Sequence, residues 1–480
     1  MEYTTFTKED VEKLEKTLKR DKKNVWSQVD DKIKKSIFEY SERYKDFLSI
    51  AKTEREAVSI IRDIAIKNNF SPIDDAKKSQ KKLFWSFKDK TAALINLGKK
   101  PLSDGFRLVA SHIDAPRIDL KQNPLYEELD MAYLKTHYYG GIKKYHWLSR
   151  PLAIHGPVLK NDGSTVNIII GEDENDPVFT INDLLPHLAG KVQGDKKLPD
   201  AFPAEKLNIL IGGIPLISDD SGKNGIKEAV KLNILKLLND KYGIIEEDLV
   251  SAELEVIPAG KARDVGFDRA FVGGYAHDDR SCAFASLKAI LDAQNPEIPC
   301  IAVFFDKEEI GSDGNTGANS KILEILLYDL LNHAKERINP ETLTRIFSLS
   351  KAISADVTAG IDPDYQEVHE KRNDALIGYG ICLTKYTGSR GKYSASDAHA
   401  EYMNWIRRIW NNNNVIWQAG ELGKVDEGGG GTVAKYLAYH GMDIVDAGTP
   451  LLAMHSPFEI AHKSDLFMTY LAYNAFFKEA

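Results

Sequence analysis

The sequence predicts an α/β fold divided by an inserted strand-rich module, and three observations carry that prediction. The apolar run 301–305, bounded by Pro299 and by polar residues, reads as a strand buried on both faces. Helical spacing flanks it, through Cys282, Ala285, Leu287 and Ile290 on one side and along 322–331 on the other. Between about 123 and 250 the texture changes to short strand-like pieces separated by turn clusters, and α/β alternation resumes beyond.

Taken in order, residues 8–70 read as helices, with apolar positions at Val11, Leu14 and Leu18, then Ile33, Ile37 and Tyr40, then Ala57, Ile60, Ile61 and Ile64. The basic run Lys77-Lys78-Ser79-Gln80-Lys81-Lys82 reads as a solvated turn, and 106–111 as a strand. In the middle module, 152–154, 166–170 and 207–211 are strand candidates. Turn clusters Asn161-Asp162-Gly163-Ser164 and Asp219-Asp220-Ser221-Gly222 separate them, and one helix spans roughly 226–238. Residues 254–257, 352–355, 415–418 and 444–445 are strand candidates of the second α/β part, which closes on an amphipathic helix after Ser464-Asp465. These readings divide the chain into 1–122, an insert at 123–250, and 251–480. Insertions are tolerated at loops, and here the loop lies just after His112, a potential metal ligand, where an insert would overhang the site.

At 480 residues the chain has ample material for two domains. A net charge of -8 argues against a dedicated nucleic-acid binder. Cys282, Cys300 and Cys382 are too few and too scattered for a disulfide framework or a thiolate zinc site, so a reducing, cytoplasmic setting is expected. The polar start Met1-Glu2-Tyr3-Thr4 carries no signal peptide, and no apolar run approaches the ~18 residues that would span a membrane.

The chemistry gathers where predicted strands end. Glu308 and Glu309 follow the buried strand, and adjacent carboxylates repel unless a cation or a shared proton relieves them. His112 and Asp114, two apart at a strand end, face the same side, which suits an imidazole ligand with a carboxylate that fixes its tautomer. His277-Asp278-Asp279-Arg280 precedes a helix, Asp356 ends an apolar run, and His455 follows another. Singly, each fits an ordinary role: loop residue, helix cap or core histidine. As a set they supply nitrogen and oxygen donors without thiolate, which suits zinc, with manganese or cobalt as alternatives. Three ligand carboxylates, two divalent ions and a bridging hydroxide together come close to neutral, as a partly buried site favours.

These motifs resemble the aspartyl aminopeptidase and vacuolar aminopeptidase I family of two-metal exopeptidases, in its bacterial aminopeptidase I-like branch. The resemblance is carried over nearly the whole chain by SHIDAPRIDLK, YGGIKKYHWLSRPLAIHG, HDDRSCAF, FFDKEEIGSDG, SADVTAGIDPDY, KYTGSRGKYSASDAHAEY and LLAMHSPFEIAHKSDL. It implies a three-layer catalytic domain, with a mixed sheet between helices, interrupted by a dimerisation domain. It also implies His112, Asp278, Glu309, Asp356 and His455 as ligands of two metal ions, Glu308 as general base and Asp114 as the carboxylate behind His112. Preferring Asp278 to Asp279 as the bridge rests on the family pattern alone.

Lys385 matches a substrate-contacting lysine of the family, and an ordinary surface lysine fits equally. Where aspartyl members carry two histidines, this chain has Ala359 and Asp362, and a pocket-facing Asp362 would disfavour acidic side chains. The run Gly428–Gly431 offers backbone amides to a substrate or is a plain turn. The expected substrates are short peptides with a free N-terminus, and the resemblance implies dimers assembled into a tetrahedral dodecamer. The aromatic stretch Tyr138-Tyr139-Gly140-Gly141 with Tyr145-His146-Trp147-Leu148 is a candidate interface, with His146 reaching the partner's pocket. Two other readings compete: a non-catalytic peptide-binding or assembly protein that keeps the fold, and a carboxypeptidase or N-deacylase of related two-metal chemistry.

Overall fold

The computed structural model describes residues 6–20, 22–217 and 226–479; the cluster Asp219-Asp220-Ser221-Gly222 lies outside them. A nine-stranded mixed sheet forms the centre of the α/β part. Four strands at its middle, Cys300–Phe305, Arg107–His112, Lys351–Ser354 and Asp443–Gly448, run parallel in that order. They are apolar on both faces because helices cover both. Val109, Phe304 and Ile353 pack against Asp31–Ile50, His277–Asp292, Ala400–Asn412 and Lys463–Lys478. Leu108, Ala110, Val303 and Phe305 pack against Ile322–Ala334, Pro340–Leu349 and Ala434–Tyr439. This is the expected three-layer arrangement. The carboxyl ends of the parallel strands share one edge, where ligands bind in open α/β sheets.

The hairpin Lys82–Phe87 and Thr91–Asn96, absent from the sequence reading, extends the sheet antiparallel to Cys300–Phe305. The helical reading of 8–70 resolves into Lys8–Leu18, Asp31–Ile50 and Glu54–Lys67, the last opened by a Thr53/Glu56 capping box.

A second, fully antiparallel seven-stranded sheet holds the strand-rich part. Its strands run from Arg117–Glu128 to Glu255–Pro258. The strand expected at 254–257 in the second α/β part therefore sits near the middle of this sheet, paired with Leu152–Leu159 and Arg117–Glu128. Its apolar side chains Val256 and Ile257 join the core around Trp147, Leu152 and Ile209. A third, five-stranded sheet contains Phe271–Gly274, Glu459–His462 and Pro450–Leu452. It brings the residues after Gly274 beside the hairpin that carries His455.

Of the aromatic stretch expected at an interface, Tyr139 and Trp147 are interior, while Tyr138 and Tyr145 are exposed. The glycines permit a close approach within the chain: a Cβ on Gly141 would come to 3.3 Å from the His455 ring, and Gly140, at φ +72°, lies equally near the Glu309 side chain.

Candidate metal centre

Each functional side chain is delivered by the end of a regular element. His112 closes the strand Arg107–His112, and Asp114 follows in the crossing to the second sheet. Asp278 and Asp279 stand at the start of His277–Asp292, but their backbone angles are non-helical and neither caps it. Glu308 and Glu309 form a short turn after Phe305, opened by Lys307 at φ +67° and closed by Gly311 at φ +85°. Asp356 lies two residues past Ser354.

The Asp278 carboxylate stands between two imidazoles: Oδ1 is 3.1 Å from His112 Nε2 and Oδ2 is 3.1 Å from His455 Nε2. Around His112 Nε2, Asp356 Oδ1 lies at 3.9 Å and Glu308 Oε2 at 4.0 Å. Around His455 Nε2, Glu309 Oε2 lies at 3.5 Å. Donor atoms of Asp278, Glu309 and His455 fall within 4.8 Å of one another, as do those of His112, Glu308 and Glu309, and of His112, Asp279 and Asp356. Asp279 is the less suited of the two aspartates to face both imidazoles, because its Oδ2 accepts the His112 backbone N–H at 3.4 Å.

Asp114 is the hub behind this constellation. Its Oδ1 accepts the Glu308 N–H at 3.0 Å and faces His112 Nδ1 at 3.3 Å. Its Oδ2 accepts the Glu309 N–H at 3.1 Å and the Tyr139 hydroxyl at 2.8 Å. One buried carboxylate thus orients an imidazole and pins the turn that carries both glutamates. Glu459, not singled out from the sequence, does the same on the other side. Its two oxygens accept the backbone N–H groups of His455, at 2.6 Å, and of Asp278, at 3.0 Å. His455 Nδ1 pairs with the Gly141 carbonyl at 2.9 Å, which leaves Nε2 to face Asp278 and Glu309.

The electrostatics fit a cation. Burial, reinforced by neighbouring negative charge, pushes the Glu308 carboxyl up to about 7 and Glu459 to about 8, and raises Glu309 and Asp356 well above the carboxylate range. Glu309 Oε1 is buried without a hydrogen-bond partner. Crowded carboxylates with an orphaned oxygen, two imidazoles and no thiolate suit zinc.

The centre opens on a groove of about 500 Å³. Gly429, Gly430 and Gly431 line it, with Thr384, Thr432 and Asp446. Lys385 and His146 are not among its lining residues. Lys385 pairs with Asp397 at 3.2 Å on the surface, and His146 lies on the short helix Lys144–Trp147 of the second sheet's layer. Asp362 does not line the groove either; its carboxylate accepts the Asp364 N–H at 3.0 Å, capping a turn.

Overlapping nitrogen and oxygen donor sets at the carboxyl edge of a parallel sheet, beside an open groove, define a metallohydrolase of the α/β class. Comparison with known proteins narrows this. Residues 47–477 match the model of the aminopeptidase I zinc metalloprotease family, M18. The chain is 48% identical over 465 residues to the probable M18 family aminopeptidase 1 of Clostridium acetobutylicum, covering 96% of this chain and 98% of that one. The M18 aminopeptidase structure from Thermotoga maritima superposes with a TM-score of 0.91 at 46% identity, over 96% of this chain and 100% of the other. The mApe1 dodecamer of S. cerevisiae shares the fold, with a TM-score of 0.72 at 22% identity over 91% of this chain and 96% of the other. The chain belongs to the M18 family and is a zinc aminopeptidase.

Proposed function

We propose that the chain removes the N-terminal residue from short peptides with two divalent ions per subunit, zinc foremost and manganese or cobalt as alternatives. The observation that carries this reading is the Asp278 carboxylate set between the His112 and His455 imidazoles. In this reading His112, Asp278 and Asp356 would hold one ion, and Asp278, Glu309 and His455 the other. Divalent ions held by these residues would supply Lewis acidity, lowering the pKa of a bound water and polarising the scissile carbonyl. Glu308 takes the proton of the attacking water and returns it to the leaving amine. Asp114 fixes the His112 tautomer through its backbone carbonyl, 3.2 Å from Nδ1, with its carboxylate at 3.3 Å, so that Nε2 keeps its lone pair for ligation. The acidic groups around the centre receive the substrate's free α-ammonium, which confines cleavage to the first residue.

The proposal includes a homo-oligomeric, cytoplasmic enzyme, dimers joining through the strand-rich domain at 123–250 into a dodecamer. Exposed Leu184, Leu185, Leu188, Ile214 and Ile217 on that domain support an interface, as does the dodecamer of the distant mApe1 relative. His146 and Lys385 then contact substrate only through assembly or loop rearrangement. Three reduced, buried cysteines suit the compartment.

The test is hydrolysis of a peptide with a free α-amine, and of its N-acetylated form, by chelator-stripped enzyme with and without added zinc. Zinc-dependent cleavage of the free peptide alone is expected. Cleavage of the acetylated form would instead favour N-deacylase or carboxypeptidase chemistry.

A further inference from the structure

Three consecutive residues of the strand-rich domain stand against the metal centre, and all three bear on the same side of it. Tyr139 ends the strand Met131–Tyr139 of the seven-stranded sheet, and Gly140 and Gly141 follow it. The Tyr139 hydroxyl donates to Asp114 Oδ2 at 2.8 Å, the oxygen that also accepts the Glu309 N–H at 3.1 Å. A Cβ on Gly140 would stand 3.3 Å from the Glu309 Cβ. The Gly141 carbonyl accepts the His455 Nδ1–H at 2.9 Å. Each contact therefore reaches Glu309 or His455, the pair that would hold the second ion.

The segment is itself anchored. Tyr139 is in register with Arg117 on the neighbouring strand, and the Arg117 guanidinium lies 4.0 Å from the centre of its ring. Arg117 is buried and pairs with Asp119 at 2.7 Å, Glu255 at 3.1 Å and Glu54 at 3.5 Å. Glu54 opens the helix Glu54–Lys67 of the α/β part, so this ion cluster fastens the tyrosine to both domains. Metal ligands keep their geometry when the groups behind them are locked in this way. The other side of the centre is built differently. His112 closes a central strand and its Nδ1 lies 3.2 Å from the Asp114 backbone carbonyl, while Asp356 follows the strand Lys351–Ser354. Among the described residues, no hydrogen bond runs from Tyr139, Gly140 or Gly141 to His112 or Asp356.

We infer that Tyr139-Gly140-Gly141 is a positioning segment through which the strand-rich domain sets the affinity for the ion on the Glu309 and His455 side, leaving the ion on the His112 and Asp356 side to the central sheet. The inference rests on the two-ion reading of the centre. Two variants isolate the contacts. Tyr139→Phe keeps the ring against Arg117 and removes only the hydroxyl, so Asp114 Oδ2 loses one of its two donors and the Glu309 turn loses its bracing. Gly141 is exposed and its φ is not positive. Beyond its chain neighbours, a Cβ there meets only the His455 ring within 4 Å, with Nδ1 at 3.3 Å, so Gly141→Ala displaces that ring and little else.

Zinc binding to the chelator-stripped full chain is to be measured by competition with a chromophoric chelator, and zinc-edge anomalous peaks in crystals equilibrated at limiting zinc assign each ion. The wild type is expected to bind two ions. In Tyr139→Phe and in Gly141→Ala one ion keeps its wild-type affinity and the other binds about tenfold or more weakly, and the depleted peak is the one beside Glu309 and His455. Wild-type affinity for both ions in either variant overturns the inference, even where the zinc-free protein melts lower, because the segment then serves stability alone. A loss shared equally by the two ions, or confined to the His112 side, also overturns it. A wild type that binds a single ion overturns the two-ion reading and the inference with it.

Discussion

Replacing Asp114 by Asn tests whether one carboxylate organises the centre. Each oxygen of Asp114 serves two groups: Oδ1 the Glu308 N–H and His112 Nδ1, Oδ2 the Glu309 N–H and the Tyr139 hydroxyl. An asparagine keeps the shape but turns one oxygen into a donor. Whichever way the amide is placed, one of the two glutamate N–H groups loses its acceptor. Leaving a buried donor unsatisfied costs about 1–3 kcal/mol, and the turn that aims Glu308 and Glu309 loses one of its two anchors. His112 Nδ1 keeps the Asp114 backbone carbonyl at 3.2 Å but loses the negative charge behind it, and such changes behind a ligating histidine weaken metal binding about 10–100-fold. Zinc affinity, measured by competition with a chromophoric chelator, should fall by that factor, and the melting temperature of zinc-free protein should drop. Wild-type affinity together with wild-type melting would refute the hub role.

Further outcomes follow from the same geometry. Glu308→Gln should retain zinc while kcat falls by at least about 100-fold, checked by metal analysis beside steady-state kinetics; near-normal turnover would remove Glu308 from proton transfer. His455→Ala should lower zinc content and activity together, since a ligand sets both affinity and geometry; full zinc content would make His455 a structural histidine. Glu459→Gln leaves one acceptor for two N–H groups, and His455 relies on that anchor at φ +63°. Its zinc affinity should fall by about tenfold or more, read by the same chelator competition, with wild-type affinity showing that Glu459 does not position the ligands.

The sequence discloses the central strands because helices on both faces demand uninterrupted apolar residues, as in Cys300–Phe305. It hides Arg117–Glu128, where charged residues and Pro124 break the alternation and the pairing register shifts between Leu120 and Leu125. The strand Glu255–Pro258 is visible as a strand, but its sheet is fixed by partners far away in sequence. Most of the candidate centre is legible because its residues cluster at strand ends in short motifs. Which aspartate of the pair faces both imidazoles is not, since that depends on the backbone angles of Asp278 and Asp279. Glu459 escapes notice as a lone carboxylate whose task arises from its contacts with the His455 and Asp278 backbone.

The most direct test of the two-ion account is a crystal structure of the zinc-loaded enzyme with anomalous scattering recorded at the zinc edge. The account predicts two peaks per chain, one on each side of the Asp278 carboxylate, the first within ~2.0–2.2 Å of His112 and Asp356 donor atoms and the second equally near those of His455 and Glu309. A single peak, or a pair bridged by Asp279 in place of Asp278, would contradict it.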